Sequence, residues 1–343
     1  MVQSGVDNAA DDRLDRATVE AAVAVAVRAP SIHNTQPWRW QLGSGGLTLL
    51  ADRSRQLAVA DPDGHSLLIS CGAALHLTQI GLQAEGWQIE TTLLPDSADP
   101  DVLARFRPVG RHEPDEQVTA QARAALGRRS DRRPFAVQQV PGELVERLRQ
   151  ASSDRDVWVD FPLRDDQRID LAVAVSWADR VEREDQAYVE EMSRWLRDPD
   201  AHVLSDGVPL EAIPHVAAGS PRHTDVPLRD FEVGVTGRQL IERDVDERPV
   251  IAVVLTQSDT AVDHLRSGQA MMRLMIEAEL RGLASCPLSQ AVDFAAFRTR
   301  VQGVMGWIGF PQMMLRIGYP SAPTSELART PRRLSSAVLR MTA

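Results

Sequence analysis

The sequence contains no lysine. All 38 of its basic residues counted as Lys or Arg are arginine, while Asp and Glu number 48, for a formal net charge of −10. Without a lysine amine there is no Schiff-base chemistry of the aldolase or pyridoxal phosphate type, and no P-loop, whose closing Gly-Lys-Ser/Thr needs that ammonium. An acidic chain is also a poor nucleic-acid scaffold, because affinity there comes from neutralising a row of phosphates with a basic face. Cysteine is scarce: Cys71 and Cys286 can build neither a disulfide framework nor a four-cysteine zinc site, so a reducing cytoplasm is the expected compartment. The eight histidines are scattered and form no His-Glu-x-x-His. Long apolar runs are missing too. The early one, Ala21 to Val27, is too short to span a bilayer, and the start of the chain carries Asp7, Asp11, Asp12 and Asp15 where a signal peptide would be basic. No membrane partner is expected.

At 343 residues the chain has length for about two domain-sized units. Thr18 to Ala29 has helix propensity and stops before Pro30. Trp38-Arg-Trp-Gln-Leu and Leu47-Thr-Leu-Leu flank Gly43-Ser-Gly-Gly as a β-hairpin, so these glycines punctuate a turn and do not make the G-x-G-x-x-G of a dinucleotide fold. Gly72 to Gly86 and Gly268 to Gly282 share one form: Gly, Ala two residues on, and a terminal Gly. Strands flank both, Leu47–Ala51 matching Val250–Thr256 and the strand at Gln88 matching the one at Met313. Gly142 to Ala151 stands where Thr18 to Ala29 stands. Helix, strand, buried helix, strand thus occurs twice and implies a diverged internal duplication. The halves are expected at residues 1–120 and 121–343. A long insertion, about residues 176–235, carries a polar helix (Glu182 to Arg197), the aromatics Trp177, Tyr188 and Trp195, and a loop with Pro209, Pro214, Pro221 and Pro227. Such a segment is expected to be a lid, its aromatics giving it something to bury.

Two segments are dense in chemistry. Arg128-Arg-Ser-Asp-Arg-Arg-Pro-Phe135 puts four arginines and a hydroxyl into six positions, with Arg332-Arg333 as a further pair. A phosphate rewards such a cluster, since charge-assisted hydrogen bonds contribute roughly 1.5–3 kcal/mol each. A solvated basic patch is the plainer alternative. In Ala29-Pro-Ser-Ile-His-Asn-Thr-Gln-Pro-Trp38, two prolines stiffen a loop of short donors and acceptors that can read the edge of a flat heterocycle, or can merely end a helix and begin a strand.

The second segment resembles the flavin-contacting motif Ala-Pro-Ser-x-x-Asn-x-Gln-Pro-Trp of the FMN-dependent nitroreductase superfamily. Arg128-x-Ser-x-Arg132 with Phe135 resembles that superfamily's phosphate motif, with arginine where many members have lysine, and Ile317-Gly-Tyr-Pro followed by Pro331-Arg-Arg resembles its C-terminal end. Ala51-Asp-Arg-Ser-Arg55, Asp61-Pro-Asp-Gly64, Ser70-Cys-Gly-Ala-Ala-Leu75 and Thr330-Pro-Arg-Arg333 resemble the Acg-type branch. The resemblance spans about residues 16–336.

It implies an α+β, nitroreductase-like fold whose two diverged halves form an intramolecular pseudo-dimer, with helices around central mixed or antiparallel sheets. It implies FMN as cofactor, with Arg128, Ser130, Arg132, Arg332 and Arg333 on the phosphate, and Ser31, Asn34 and Gln36 on the ring. Ser289 and Gln290, in Cys286-Pro-Leu-Ser-Gln290, fall near flavin N5, and Cys286 reads as a buried small hydrophobe. Family members carry the arginine motif before the Pro-Ser-Asn-Gln motif in one short chain and share each flavin across a dimer interface. Here each half keeps one motif, which implies one FMN per chain, a dead counterpart site and a monomer. The implied activity is NAD(P)H-dependent hydride transfer through flavin N5 to a nitroaromatic or quinone-like acceptor, with no catalytic side chain and no acid–base role for His33. Two alternatives stand beside it: a flavin-storing or sensing protein whose lid blocks nicotinamide, and a structural relative without cofactor.

Overall fold

The computed structural model describes residues 13–198, 205–215, 229, 236–237, 239–240 (backbone) and 247–342. Asp15 starts helix α1 (Arg16–Ala26) by accepting from Thr18 N at 2.8 Å, and Val19, Ala22, Val23 and Ala26 bury its apolar stripe. Strands β1 (Trp38–Gly43) and β2 (Gly46–Ala51) form the expected hairpin, closed at Gly43 opposite Gly46. Gly46 sits at φ +106°, and a Cβ there would lie 2.3 Å from Phe106 O, so the turn requires glycine.

Helix α2 (His65–Ala84) begins seven residues before Gly72, because the Asp61 carboxylate caps it, accepting from Ser66 N at 2.9 Å and Leu67 N at 2.7 Å. By length and composition α2 is apolar enough to cross a membrane, but 78% of its apolar window is buried inside the protein. It is a core helix. Strands β3 (Trp87–Leu93) and β4 (Val102–Arg111) and helix α3 (Glu116–Gly127) follow.

The later part starts with helix α4 (Gly142–Ser152) and strand β5 (Val157–Asp160). Helices α5 (Asp165–Glu184) and α6 (Gln186–Ser193) replace the expected single helix over Glu182–Arg197. The break falls at Asp185, whose carboxylate caps α6 through Ala187 N and Tyr188 N. Two-residue strands β6 (Leu196–Arg197), β7 (Val208–Pro209), β8 (Pro214–His215) and β9 (Gln239–Leu240) pair locally. Of the insertion's aromatics, Tyr188 is buried and Trp195 lies under Arg55 and Arg197, but Trp177 is 62% exposed, contrary to the expectation that all three bury. Pro221 and Pro227 lie outside the described residues.

The chain continues through β10 (Val250–Thr256), α7 (Ala261–Leu280), β11 (Ala284–Leu288), the short α8 (Gln290–Asp293), α9 (Ala295–Val304), β12 (Phe310–Gly318), α10 (Ser335–Val338) and β13 (Leu339–Met341). The first sheet has order β13-β1-β2-β4-β3 and the second β11-β12-β10-β5. Taken from β1 and from β5, both run hairpin, fourth strand, third strand. The strand equivalent to β3 is therefore β11, and Met313 lies in the counterpart of β4. The insertion sits within the connection between the paired strands β5 and β10. Helices α2 and α7 cross between the sheets, with Gly72 and Gly268 at the contact. Strand β13 pairs in parallel with β1, so the C-terminal segment ends on the first sheet.

Candidate functional site

The loop between α1 and β1 is strained. His33, Asn34 and Gln36 have φ of 44°, 56° and 52°, a region that non-glycine residues occupy only where their surroundings fix it. The fixing contacts are visible. Ser31 Oγ accepts from Gln36 N at 2.9 Å, and Ser70 Oγ on α2 accepts from Ile32 N at 3.2 Å.

Asn34 and Gln36 point away from the cavity that this loop lines. Asn34 Nδ2 donates to Gly207 O at 2.8 Å and Pro331 O at 2.9 Å; Gln36 Nε2 donates to Ser205 O at 2.9 Å, and its Oε1 accepts from Arg333 N at 2.8 Å. They tie the loop to the insertion and to the C-terminal segment.

The arginine segment follows α3 and docks on β11, where Ser130 bridges Ser285 and Asp131 N donates to Ser285 O at 3.0 Å. Beside it, Arg28, Arg128, Arg129, Ser130, Thr330 and Arg332 line one small cavity. Arg128 is 4% exposed; its Nη2 donates to Arg28 O at 3.2 Å, while Nε and Nη1 have no partner. The Nε atoms of Arg28, Arg129 and Arg332 are likewise buried and unpartnered. Among the described residues none of these four arginines forms an ion pair. Burial, then the positive charge of Arg28, pulls Arg128 down to about 10, and burial with Arg28 and Arg128 pushes Arg332 well below the usual arginine range. Four guanidiniums driven together this way, with donors left over, fit a dianionic phosphate.

Ser130 also lines a second cavity, with Pro30, Ser31, Ile32 and His33 from the loop, Ser66, Ile69 and Ser70 from α2, Met271 from α7, Cys286, Pro287 and Ser289 from β11 and its end, Met313, Arg132 and Arg229. Its walls are apolar with a few hydroxyls and two cations, Arg132 and the Arg229 that pairs with Glu182 and Asp293, which suits a flat polar ring. Cys286 is buried and burial raises its thiol, as expected of an inert residue.

The structure thus gathers Ser31, Arg128, Ser130, Arg132, Ser289 and Arg332 around two adjoining cavities. Gln290 is buried at the start of α8 with Nε2 unpartnered and lines neither. Arg333 does not join the arginine cluster either: it reaches Asp52 at 3.6 Å and Gln36 O at 3.4 Å.

Several lining residues went unseen in the sequence. Arg28 had a signal, standing directly before Ala29-Pro-Ser, and Ser70 opens one of the branch motifs. Arg229 had none. Its guanidinium meets Glu182 Oε1 and Asp293 Oδ2, both at 2.8 Å, and lies 3.4 Å from His33 Nε2. Burial, with Arg229 and Arg132, holds His33 well below the ordinary histidine range, so its ring is neutral.

No protein-family model matches the chain. It is 33% identical over 326 residues to the Mycobacterium tuberculosis protein named "Putative NAD(P)H nitroreductase Rv3131", an alignment covering 95% of this chain and 92% of that one. It is 32% identical over 320 residues to the same organism's "Putative NAD(P)H nitroreductase acg", covering 92% and 93%. A solved structure, the FMN-dependent nitroreductase NfnB from Mycobacterium smegmatis in complex with NADPH, aligns with 66% of this chain and all of its own at 20% identity and a TM-score of 0.40. The chain belongs to the nitroreductase superfamily. Within it, the relatives place it in the Acg-type branch.

Proposed function

We propose that the chain is an FMN-binding oxidoreductase of the NAD(P)H nitroreductase type. The observation that carries this reading is the set of buried, unpartnered guanidinium donors of Arg28, Arg128, Arg129 and Arg332, joined through Ser130 to a cavity of ring-binding character. Those arginines, with Ser130 and Thr330, would hold the phosphate. Ser31, Ser70 and Ser289 would orient the ring by its polar edge, and Met271 and Met313 would give it apolar contact. When bound, FMN supplies hydride transfer through its N5 between a nicotinamide and a nitroaromatic or quinone-like acceptor. Arg132, a half-buried cation in the ring cavity, would stabilise the negative charge of the reduced ring. No side chain is assigned an acid–base step; His33, neutral and beside Arg229, is a positioning group.

The proposal includes one FMN per chain, between two halves of a monomeric pseudo-dimer: the loop at Ser31 from the first half, the arginine anchor from the second. The shared sheet order supports it. So does the opposite side of the α2–α7 crossing. Residues 153–156 alone connect α4 to β5, against 27–37 between α1 and β1, leaving no room for an equivalent loop. Counted from Gly72 and Gly268, the counterpart of Ser70 is Arg266, which pairs with Asp156 at 2.9 Å.

A second reading, a flavin-holding protein closed to nicotinamide, is favoured by one observation. Insertion residues lie on both cavities: Ala212 lines the arginine cavity and Arg229 the other.

The visible absorption spectrum of the purified protein, with flavin quantified against chain, tests the binding: a ratio near one is expected, and a colourless protein that does not take up added FMN overturns it. Anaerobic mixing with NADH and with NADPH then separates the readings, since bleaching of the flavin marks a reductase and its absence with both nucleotides marks a holder.

A further inference from the structure

Helix α5 carries a second apolar stripe, turned away from the core. Leu171, Ala174, Val175 and Ala178 face inward and are buried. At about 100° per residue, Asp166, Ile169, Trp177 and Arg180 all fall within roughly 40° of Val173 on the opposite side. Val173 is half-buried and the other four are exposed; Ile169 and Trp177 each leave more than 60% of their surface in solvent. Beside the stripe a cleft of about 680 Å³ opens between α5 and α9, with Trp177 on one wall and Phe297, Val304 and Trp307 on the other.

Trp307 is held there by a strained turn. Its φ is 61°, a value that a bulky side chain rarely adopts. Gln302 fixes the turn: its backbone oxygen accepts from Trp307 N at 2.9 Å, and its Nε2 donates to Gly309 O at 2.8 Å. Gly303 lets the indole lie against α9, since a Cβ there would sit 3.4 Å from Trp307 Cζ2. Trp307 and Ile308 are still more than 60% exposed. The backbone is strained to fix an indole that the chain itself leaves largely uncovered, and a rigid exposed aromatic is what anchors a protein interface.

We propose that a second copy of the chain docks on this face, the two α5 helices lying antiparallel about a two-fold axis with Trp177 and Trp307 at the centre. Size favours a protein partner. With about 150–250 Å² on a large side chain, Ile169, Trp177, Trp307 and Ile308 present roughly 500 Å² of apolar surface. A standard interface buries about 800 Å² per partner, a little over half of it non-polar.

Symmetry and charge favour a copy of this same chain. A two-fold interface must be complementary to itself. Ile169 and Trp177 stand four residues either side of Val173, and Asp166 and Arg180 seven residues either side. Antiparallel pairing about Val173 brings Asp166 across from the partner's Arg180, whereas parallel pairing would set like charges together. In the single chain these two groups have exposed partners, Arg164 for Asp166 at 3.2 Å and Glu184 for Arg180 at 2.8 Å, which water screens and which exchange at little cost. None of these residues lines the arginine cavity or the ring cavity. The flavin unit therefore stays complete within one chain, and the association joins two complete units.

Sedimentation velocity of the full chain, over about a hundredfold range of micromolar concentration, tests this. The mass should pass from one chain to two. Trp177→Ala and Trp307→Gly should each weaken the dimer by about 30-fold or more, the loss expected of central aromatic anchors. Trp307→Gly relieves the strain at φ 61°, so its unfolding temperature, measured at a concentration where the chain is single, should not fall. Asp166→Arg alone should weaken the dimer, and adding Arg180→Glu should restore it. A single chain throughout the range, a dimer indifferent to both tryptophan substitutions, or a charge reversal that the second reversal does not rescue overturns the proposal. Flavin content should be the same in every variant, so this test and that of flavin binding fail independently.

Discussion

Gly72 and Gly268 meet at the crossing of α2 and α7, and neither has room for a methyl group: a Cβ on Gly268 would lie 2.0 Å from Ile69 O, and one on Gly72 would lie 2.1 Å from Leu265 O. The opposing atoms are backbone and cannot turn aside. Gly268→Ala should therefore force the helices apart and destabilise the fold by about 1–3 kcal/mol, despite alanine's better helix propensity. Denaturant unfolding of the variant checks this; an unchanged or raised midpoint would show that the crossing is looser than described.

Arg28 and Arg333 make opposite predictions. Arg28 carries an unpartnered Nε beside the arginine cavity, whereas Arg333 is engaged with Asp52 and Gln36. A charged hydrogen bond of roughly 1.5–3 kcal/mol corresponds to a loss of about 10–150-fold in FMN affinity. Arg28→Ala, Arg128→Ala and Arg332→Ala should each show it, and Arg333→Ala should lose less than about threefold. Fluorescence titration of the apoprotein with FMN separates the four.

Asp61 titrates in an unusual range. Burial raises its carboxyl to about 7, even though it accepts from Ser66 N and Leu67 N. Unfolding restores a value near 3.8, so between about 4 and 7 the folded state holds the proton that the unfolded state has released. Asp61 then favours folding at low pH, and this contribution is lost as pH rises toward 7. Asp61→Asn keeps an oxygen for the cap and cannot ionise. Its unfolding free energy, measured from pH 4 to 8, should gain on that of the unsubstituted chain with rising pH and level off above 7; parallel curves would refute the assignment.

Asn34 should act on the insertion. Its side-chain amide holds Gly207 O and Pro331 O from a backbone at φ 56°. Asn34→Ala loses both hydrogen bonds and faces a higher cost at that φ. Limited proteolysis should cut the insertion several-fold faster, and, on the reading of the insertion as a cover, reduction of bound flavin by NADPH should speed up. Equal cleavage rates would place the hold on the insertion elsewhere.

What could be read in the sequence depended on range. The β1–β2 hairpin, α1 and α4 follow from local period and punctuation, and all three formed close to their expected bounds. The duplicated helices were also legible, but their starts were not: α2 begins at a cap supplied by Asp61, outside the Gly72–Gly86 pattern. The pairing of halves slipped by one strand because β4 and β5 carry weak or short patterns that only the sheet order reveals. In the site, the arginine motif was legible as a run of like charge. The choice between Arg332 and Arg333 was not, since neighbours in an extended segment face opposite ways and the direction is set by the fold around them. Arg229, Glu182 and Asp293 meet from three separate stretches of chain, and no spacing announces such a meeting.

The parallel pairing of β13 with β1 has a further consequence. Arg332 lies on the same segment as β13, and Arg28 on the chain that enters β1, so the segments leading into these two paired strands converge on the proposed phosphate. A phosphate there clasps the first and last strands together, and fraying of either must open the cradle. By mass action the bound nucleotide then resists that fraying. Hydrogen exchange at the amides of β1 and β13 should slow in step with each other as FMN is added, which turns the edge of one sheet into a gauge of occupancy.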